Sequence, residues 1–246
     1  MDKLLYVAMS GAKETLRAQA ANSHNLANAS TTGFKADLSA FQSRAVTGPG
    51  FPSRVYATDA TVGWDSTVGA QQTTGNPLDL AINGPGFFAV QDVSGNEAYT
   101  RAGDLHVDPT GQLLTATGLQ VMGDNGPISV PPSTSVTVAA DGTISVVALG
   151  SPPLSTASVG RIKLVNPAVD TITRGADGLF RTNDGQPAAA DASTTMTSGT
   201  LESSNVDLAS CMVNMIELSR KFDLQVKALH AAEDDGTASA KLLQSS

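Results

Sequence analysis

LYVAMSGAKETLRAQAANSHNL, residues 5–26, decides the architecture. Within it Leu5, Met9, Ala12, Leu16, Gln19, Ser23 and Leu26 recur at alternating steps of four and three, the spacing that keeps one helix face turned toward a partner helix. The end of the chain repeats the rhythm with Leu208, Met212, Met215, Ser219, Phe222, Val226, Leu229 and Glu233. Ala209, Val213 and Ile216 widen that second stripe, so more than one neighbour is expected. The pattern predicts an α+β chain in which paired long N- and C-terminal α-helices form a coiled-coil-like inner domain, residues 1–34 and 201–246. A mostly antiparallel β domain, residues 77–185, lies between them, flanked by extended connectors at 35–76 and 186–200.

The first helix is expected from Asp2 to Asn28 and to stop in Ser30-Thr31-Thr32-Gly33, where Gly33 can take a positive φ. At about 1.5 Å per residue it would reach roughly 40 Å, too long for its alanine-rich and polar surface to hold alone in water. The last helix is expected to be capped by Ser204 with Asp207 three residues on. Between the helices the period becomes two: Leu78, Leu80 and Ile82 alternate with Asp79 and Ala81, and Asn83-Gly84-Pro85-Gly86 reads as a hairpin corner before Phe87 to Val90. Asp108-Pro109-Thr110-Gly111 and Asp124-Asn125-Gly126-Pro127 mark turns, and Asp141-Gly142 sits between two β-rich runs as a hairpin signal.

Composition narrows the function. A formal charge of −8 and a pI near 4.7 leave no basic patch for nucleic acid or an anionic membrane. Leu4 to Met9 is too short an apolar run for a secretory signal core or a membrane span. Cys211 is the single cysteine, so no disulfide forms within the chain, and it reads as a small residue on a helix face. His24, His106 and His230 are scattered, and no metal, dinucleotide or nucleophile-elbow spacing occurs. Asp104 and Asp108 around His106 are the nearest approach to an acid and base pair, in a strand and turn where surface aspartates are common. No catalytic, cofactor or metal residues are therefore assigned. The candidate functional residues are apolar: Leu5, Met9, Leu16 and Leu26 on the first helix, and Met212, Met215, Ile216, Phe222, Val226 and Leu229 on the last. A secreted β-rich binding or adhesin-type protein is the competing class, and 4% aromatic content with one tryptophan, Trp64, weighs against it.

Ser10-Gly11, Asn25-Leu26-Ala27-Asn28 and Thr32-Gly33-Phe34-Lys35 resemble the N-terminal signature of bacterial flagellar rod and hook proteins. The run from Asn76 to Phe88, Tyr99-Thr100-Arg101-Ala102-Gly103, the run from Asp108 to Leu113, and Gly199-Thr200-Leu201-Glu202-Ser203-Ser204-Asn205-Val206 resemble that family's later motifs in their order. His24 departs from the pattern, standing where the family often has an asparagine. The resemblance implies a structural, non-enzymatic subunit without cofactors. Its terminal helices would pack with copies of itself and with other rod subunits around a central channel crossing the periplasm. It also implies delivery by the flagellar type III export apparatus without a cleaved signal peptide.

Overall fold

The computed structural model describes residues 2–45, 55–150, 152 and 155–244. The chain is α+β. It divides into two units, one made of residues 1–29, 36–64 and 206–246, the other of 30–35 and 65–205.

The first unit carries helix α1, Asp2–Ala27, helix α2, Leu208–Gln244, and two strands, β1, Asp37–Ala45, and β2, Val55–Trp64, paired antiparallel with a bulge at Leu38 and Ser39. At 26 residues α1 is the shorter helix, against 37 in α2. Its end is tied to β1 by Asn25, whose Nδ2 donates to the Asp37 carbonyl at 2.9 Å while its Oδ1 accepts from the Asp37 amide at 2.8 Å. That two-way amide pairing lets a side chain imitate a strand neighbour, and His24 adds a 2.7 Å contact from Nδ1 to the Asp37 carboxylate. The cap of α2 differs from expectation. Asp207, not Ser204, accepts from the Ala209 amide at 3.0 Å and from the Ser210 hydroxyl, because helical geometry begins only at Leu208.

The second unit is built on a nine-stranded antiparallel sheet. Its central strand Phe87–Gln91 is buried over four consecutive residues and pairs with Glu97–Thr100, with Gln120–Gly123 and with Leu164–Val165. A strand covered on both faces reads as a continuous apolar run rather than an alternating one, which fits Phe87-Phe88-Ala89-Val90. Ser133–Val138, Thr143–Ala148 and Ala157–Arg161 form a separate three-stranded sheet, with Asp141-Gly142 at its first corner as expected. Phe88, Leu80, Ile144, Ile162 and Met196 meet in one core, and each such side chain contributes roughly 1.5–3 kcal/mol.

One corner is corrected. Leu80–Asn83 and Phe87–Gln91 are not a hairpin: the former pairs with Thr195–Ser198, inside the stretch expected as a returning connector, and the turn between them joins two sheets. Arg101 holds that turn, donating from Nη1 to the carbonyls of Gly84 at 2.9 Å and Gly86 at 2.7 Å.

Aspartates close many of the remaining corners and set an acid limit on stability. Asp191 accepts from the Ser193 hydroxyl at 2.6 Å, the Ser193 amide at 2.9 Å and the Thr194 hydroxyl at 2.8 Å, and these bonds pull its pKa to about 2. The Arg181 guanidinium likewise holds Asp92 and Asp177 below the usual carboxylate range. Each carboxylate binds protons less readily folded than unfolded. Its contribution is therefore complete above about pH 4, the unfolded value, and is lost as pH falls below it, for Asp191 through about 2. Thermal melts are expected to show a flat melting temperature between about pH 7 and 5 and a steady decline below about pH 4. A flat profile down to pH 2 would mean that these bonds do not form in solution.

Candidate functional site

The features that ask for a function lie on the helices. Among the described side chains of α1 the buried positions are Ala12, Glu14, Thr15, Ala18, Asn22 and Asn25, all small or polar. Such a face can be covered only if its polar groups are satisfied, and they are. The Thr15 hydroxyl reaches the Gly11 carbonyl at 2.9 Å and Gln225 Oε1 on α2 at 3.1 Å; Asn22 Nδ2 donates to the Cys211 carbonyl on α2 at 2.8 Å. Glu14 accepts from Arg17 Nη1 at 3.1 Å. Gly11 leaves room for the Gln225 side chain, whose Nε2 would lie 2.9 Å from a Cβ at that position.

Three large apolar residues of α1 lie off that face. Tyr6, Met9 and Leu16 are about half exposed, and they recur along one stripe with Lys13. On α2 the covered positions are Cys211, Leu218 and Ala232, with Met215, Phe222, Val226 and Leu229 half-buried along the same three-and-four spacing. Met212, Val213 and Ile216 are 50%, 55% and 55% exposed, and Leu208 and Leu224 are exposed with them.

The expected interface residues thus divide. Met9, Leu16, Met212 and Ile216 are exposed; Leu26, Met215, Phe222, Val226 and Leu229 are half-buried; the side chain of Leu5 lies outside the described residues. Tyr6 and Leu224 escaped the reading, although Tyr6 sits three residues before Met9 and extends the same stripe. Cys211 is a free, buried thiol, and burial pushes its pKa up, as suits a packing residue rather than a nucleophile.

The β unit holds little chemistry. The Asp108 carboxylate is consumed by its own turn, accepting from the Thr110 amide at 2.9 Å, the Thr110 hydroxyl and the Gln112 amide at 2.7 Å. Asp104 is raised by burial and by nearby Asp79, and His106 beside it is exposed. A groove of about 430 Å3 is lined by Asp124, Arg161, Lys163 and Asp191 among others, and the last three are engaged in bonds of their own. Arg161 Nε donates to the Asp141 carbonyl at 2.7 Å, and Lys163 Nζ binds both Glu97 oxygens at 2.8 and 2.9 Å. Among the described residues no group of three or more His, Cys, Asp or Glu could hold a metal ion, and no helix is long and apolar enough to cross a membrane.

Three family models match the chain in order. Residues 5–35 match the flagella basal body rod protein model, residues 81–146 the flagellar hook protein FlgE/F/G D1 domain, and residues 197–244 the C-terminal model of flagellar basal body rod FlgEFG proteins. The chain is 42% identical to the flagellar basal-body rod protein FlgF of Escherichia coli and, separately, to that of Salmonella typhimurium, over the whole of each pair of chains. It is 31% identical to the flagellar basal-body rod protein FlgG of Bacillus subtilis over 95% of this chain and 96% of that one. Full-length identity to rod proteins, on a chain whose apolar helix faces stand open, leads to one conclusion: it belongs to the flagellar basal-body rod protein family.

Proposed function

We propose that the chain is a structural subunit of the flagellar rod, of the FlgF type, which polymerises through its terminal helices and transmits torque across the periplasm without turning over a substrate. The observation that carries this reading is the arrangement of α1. It covers a small, polar side and leaves Tyr6, Met9 and Leu16 exposed, while α2 leaves Met212, Val213 and Ile216 exposed. Apolar stripes of this kind on a chain of net charge −8 suit contact with further helices, since covering them gains about 25 cal/mol for each Å2 removed from water. In this reading α1 and α2 form a coiled-coil-like inner assembly domain. The candidate interface residues supply its contacts with copies of the chain and with other rod subunits. Export proceeds through the flagellar type III apparatus with the N-terminus intact.

The test is mass spectrometry of purified hook and basal-body particles from the source bacterium. Peptides of this chain, including one that begins at its uncleaved N-terminus, are expected at low abundance relative to hook protein. Particles that contain the other rod proteins and lack this one would overturn the assignment.

A further inference from the structure

Three charged side chains lie buried together in the β unit: Lys35, Arg101 and Glu202, with 2%, 2% and 1% of their side chains exposed. Glu202 occupies the centre. Its Oε1 accepts from Lys35 Nζ at 2.7 Å and from the Gly69 amide at 2.9 Å, and its Oε2 accepts from Arg101 Nε at 2.8 Å and also contacts Arg101 Nη2. The Lys35 ammonium gives a further bond to the Thr67 carbonyl at 2.6 Å.

Around these charges three segments far apart in sequence are joined through their backbones. The Gly33 amide donates to the Glu202 carbonyl at 2.8 Å, the Ser203 amide to the Ala70 carbonyl at 2.8 Å, and the Asn205 amide to the Phe34 carbonyl at 3.3 Å. Asn205 Nδ2 adds bonds to the carbonyls of Asp65 at 3.0 Å and Thr67 at 3.1 Å. Two glycines let the segments close up. A Cβ on Gly69 would lie 2.0 Å from the Ser203 carbonyl oxygen, and one on Gly33, which has a φ of +66°, would lie 2.3 Å from the Arg101 backbone. Arg174 seals the outside, donating to the Lys35 carbonyl at 2.5 Å with its guanidinium over the Phe34 ring.

These segments, 30–35, 65–70 and 202–205, are also the ones by which the chain enters and leaves the β unit, at 29/30, 35/36, 64/65 and 205/206. We infer that Lys35, Arg101 and Glu202 form a charge-held latch that closes all four chain passages together and opens as one piece, separately from the β core. The physical reason is the central carboxylate. Removing it strands two buried cations at once, whereas removing either cation leaves the carboxylate one partner. A latch built this way has no half-open state of comparable stability, and its opening would release slack into every connection at the same time. The inference concerns the single chain and stands independently of whether that chain enters a rod.

Hydrogen exchange on the full-length monomer tests it. In Glu202→Gln the amides of Gly33, Gly69, Ser203 and Asn205 are expected to exchange at least about a hundredfold faster, while those of Ala89 and Ile128, bonded inside the core, keep their rates. Lys35→Met should accelerate the same four amides by only about tenfold, because Arg101 still pairs with Glu202. The double variant should exchange no faster there than Glu202→Gln alone. Unchanged latch amides in Glu202→Gln, or latch and core amides accelerated by one common factor, would overturn the inference. Should Glu202→Gln fail to fold, Lys35→Met decides it by the same comparison between the two sets of amides.

Discussion

Leu16→Asp is expected to leave the purified monomer intact and to abolish its incorporation into basal bodies. The side chain is 50% exposed on α1, so in the isolated protein an aspartate there costs only its lower helix propensity, about 0.5 kcal/mol. In the helix bundle proposed above the same position would be enclosed by apolar neighbours, where an unpaired carboxylate costs several kcal/mol. At about 1.4 kcal/mol per factor of ten, that is a loss of at least about a hundredfold in incorporation. Ile216→Asp, 55% exposed on α2, should behave in the same way. Phe222→Asp provides the contrast. Phe222 is half-buried on the covered side of α2, so its replacement should lower the helical circular dichroism of the monomer before any question of assembly arises. The three variants are to be compared by circular dichroism, by blotting of purified particles and by swimming. Normal motility with Leu16→Asp would remove the exposed face of α1 from the assembly surface.

The sequence displayed the helices and the β corners because each is a local property. Period and turn chemistry placed α1 within a residue of its end at Ala27 and put Asp141-Gly142 at a real corner. What it could not display was which side of α1 is covered inside the chain. The hydrophobic pattern nominated Met9 and Leu16, whereas the covered side includes Thr15 and Asn22, whose partners on α2, Gln225 and the Cys211 carbonyl, lie 210 and 189 positions away. Polar residues that pair across such distances leave no periodic trace. The Lys35, Arg101 and Glu202 cluster was hidden for the same reason, its members being separated by 167 and 101 residues. Its one sequence signal is that each charge stands inside a motif otherwise made of glycine, small and apolar residues: Thr32-Gly33-Phe34-Lys35, Tyr99-Thr100-Arg101-Ala102-Gly103 and Thr200-Leu201-Glu202. The mistaken hairpin at Asn83–Gly86 has a related cause, since turn residues announce a reversal but not which strand receives it.

Gly103→Ala should be the most damaging single-methyl change in the β unit. Gly103 runs beside Leu80, and its carbonyl accepts from the Leu80 amide at 2.8 Å. A Cβ at Gly103 would lie 1.8 Å from the Leu80 carbonyl oxygen and 3.2 Å from the Phe88 ring. Neither neighbour can yield cheaply. The Leu80 carbonyl belongs to the strand Leu80–Asn83, whose register against Thr195–Ser198 is set by four residue pairs, and Phe88 is fully buried in the core. Relief therefore means displacing a paired strand, and the expected loss is roughly 3 kcal/mol or more, a large share of the 5–15 kcal/mol by which domains are ordinarily stable. Gly118→Ala isolates the backbone contribution. That glycine has a φ of +81° and nothing within 4 Å of its Cβ position, so alanine there should cost only about 1–2 kcal/mol for the left-handed conformation. Urea unfolding of the two variants separates the explanations. Equal losses would mean that the strand next to Gly103 shifts freely, and the close approach of Leu80 would then be irrelevant to why glycine stands at that position.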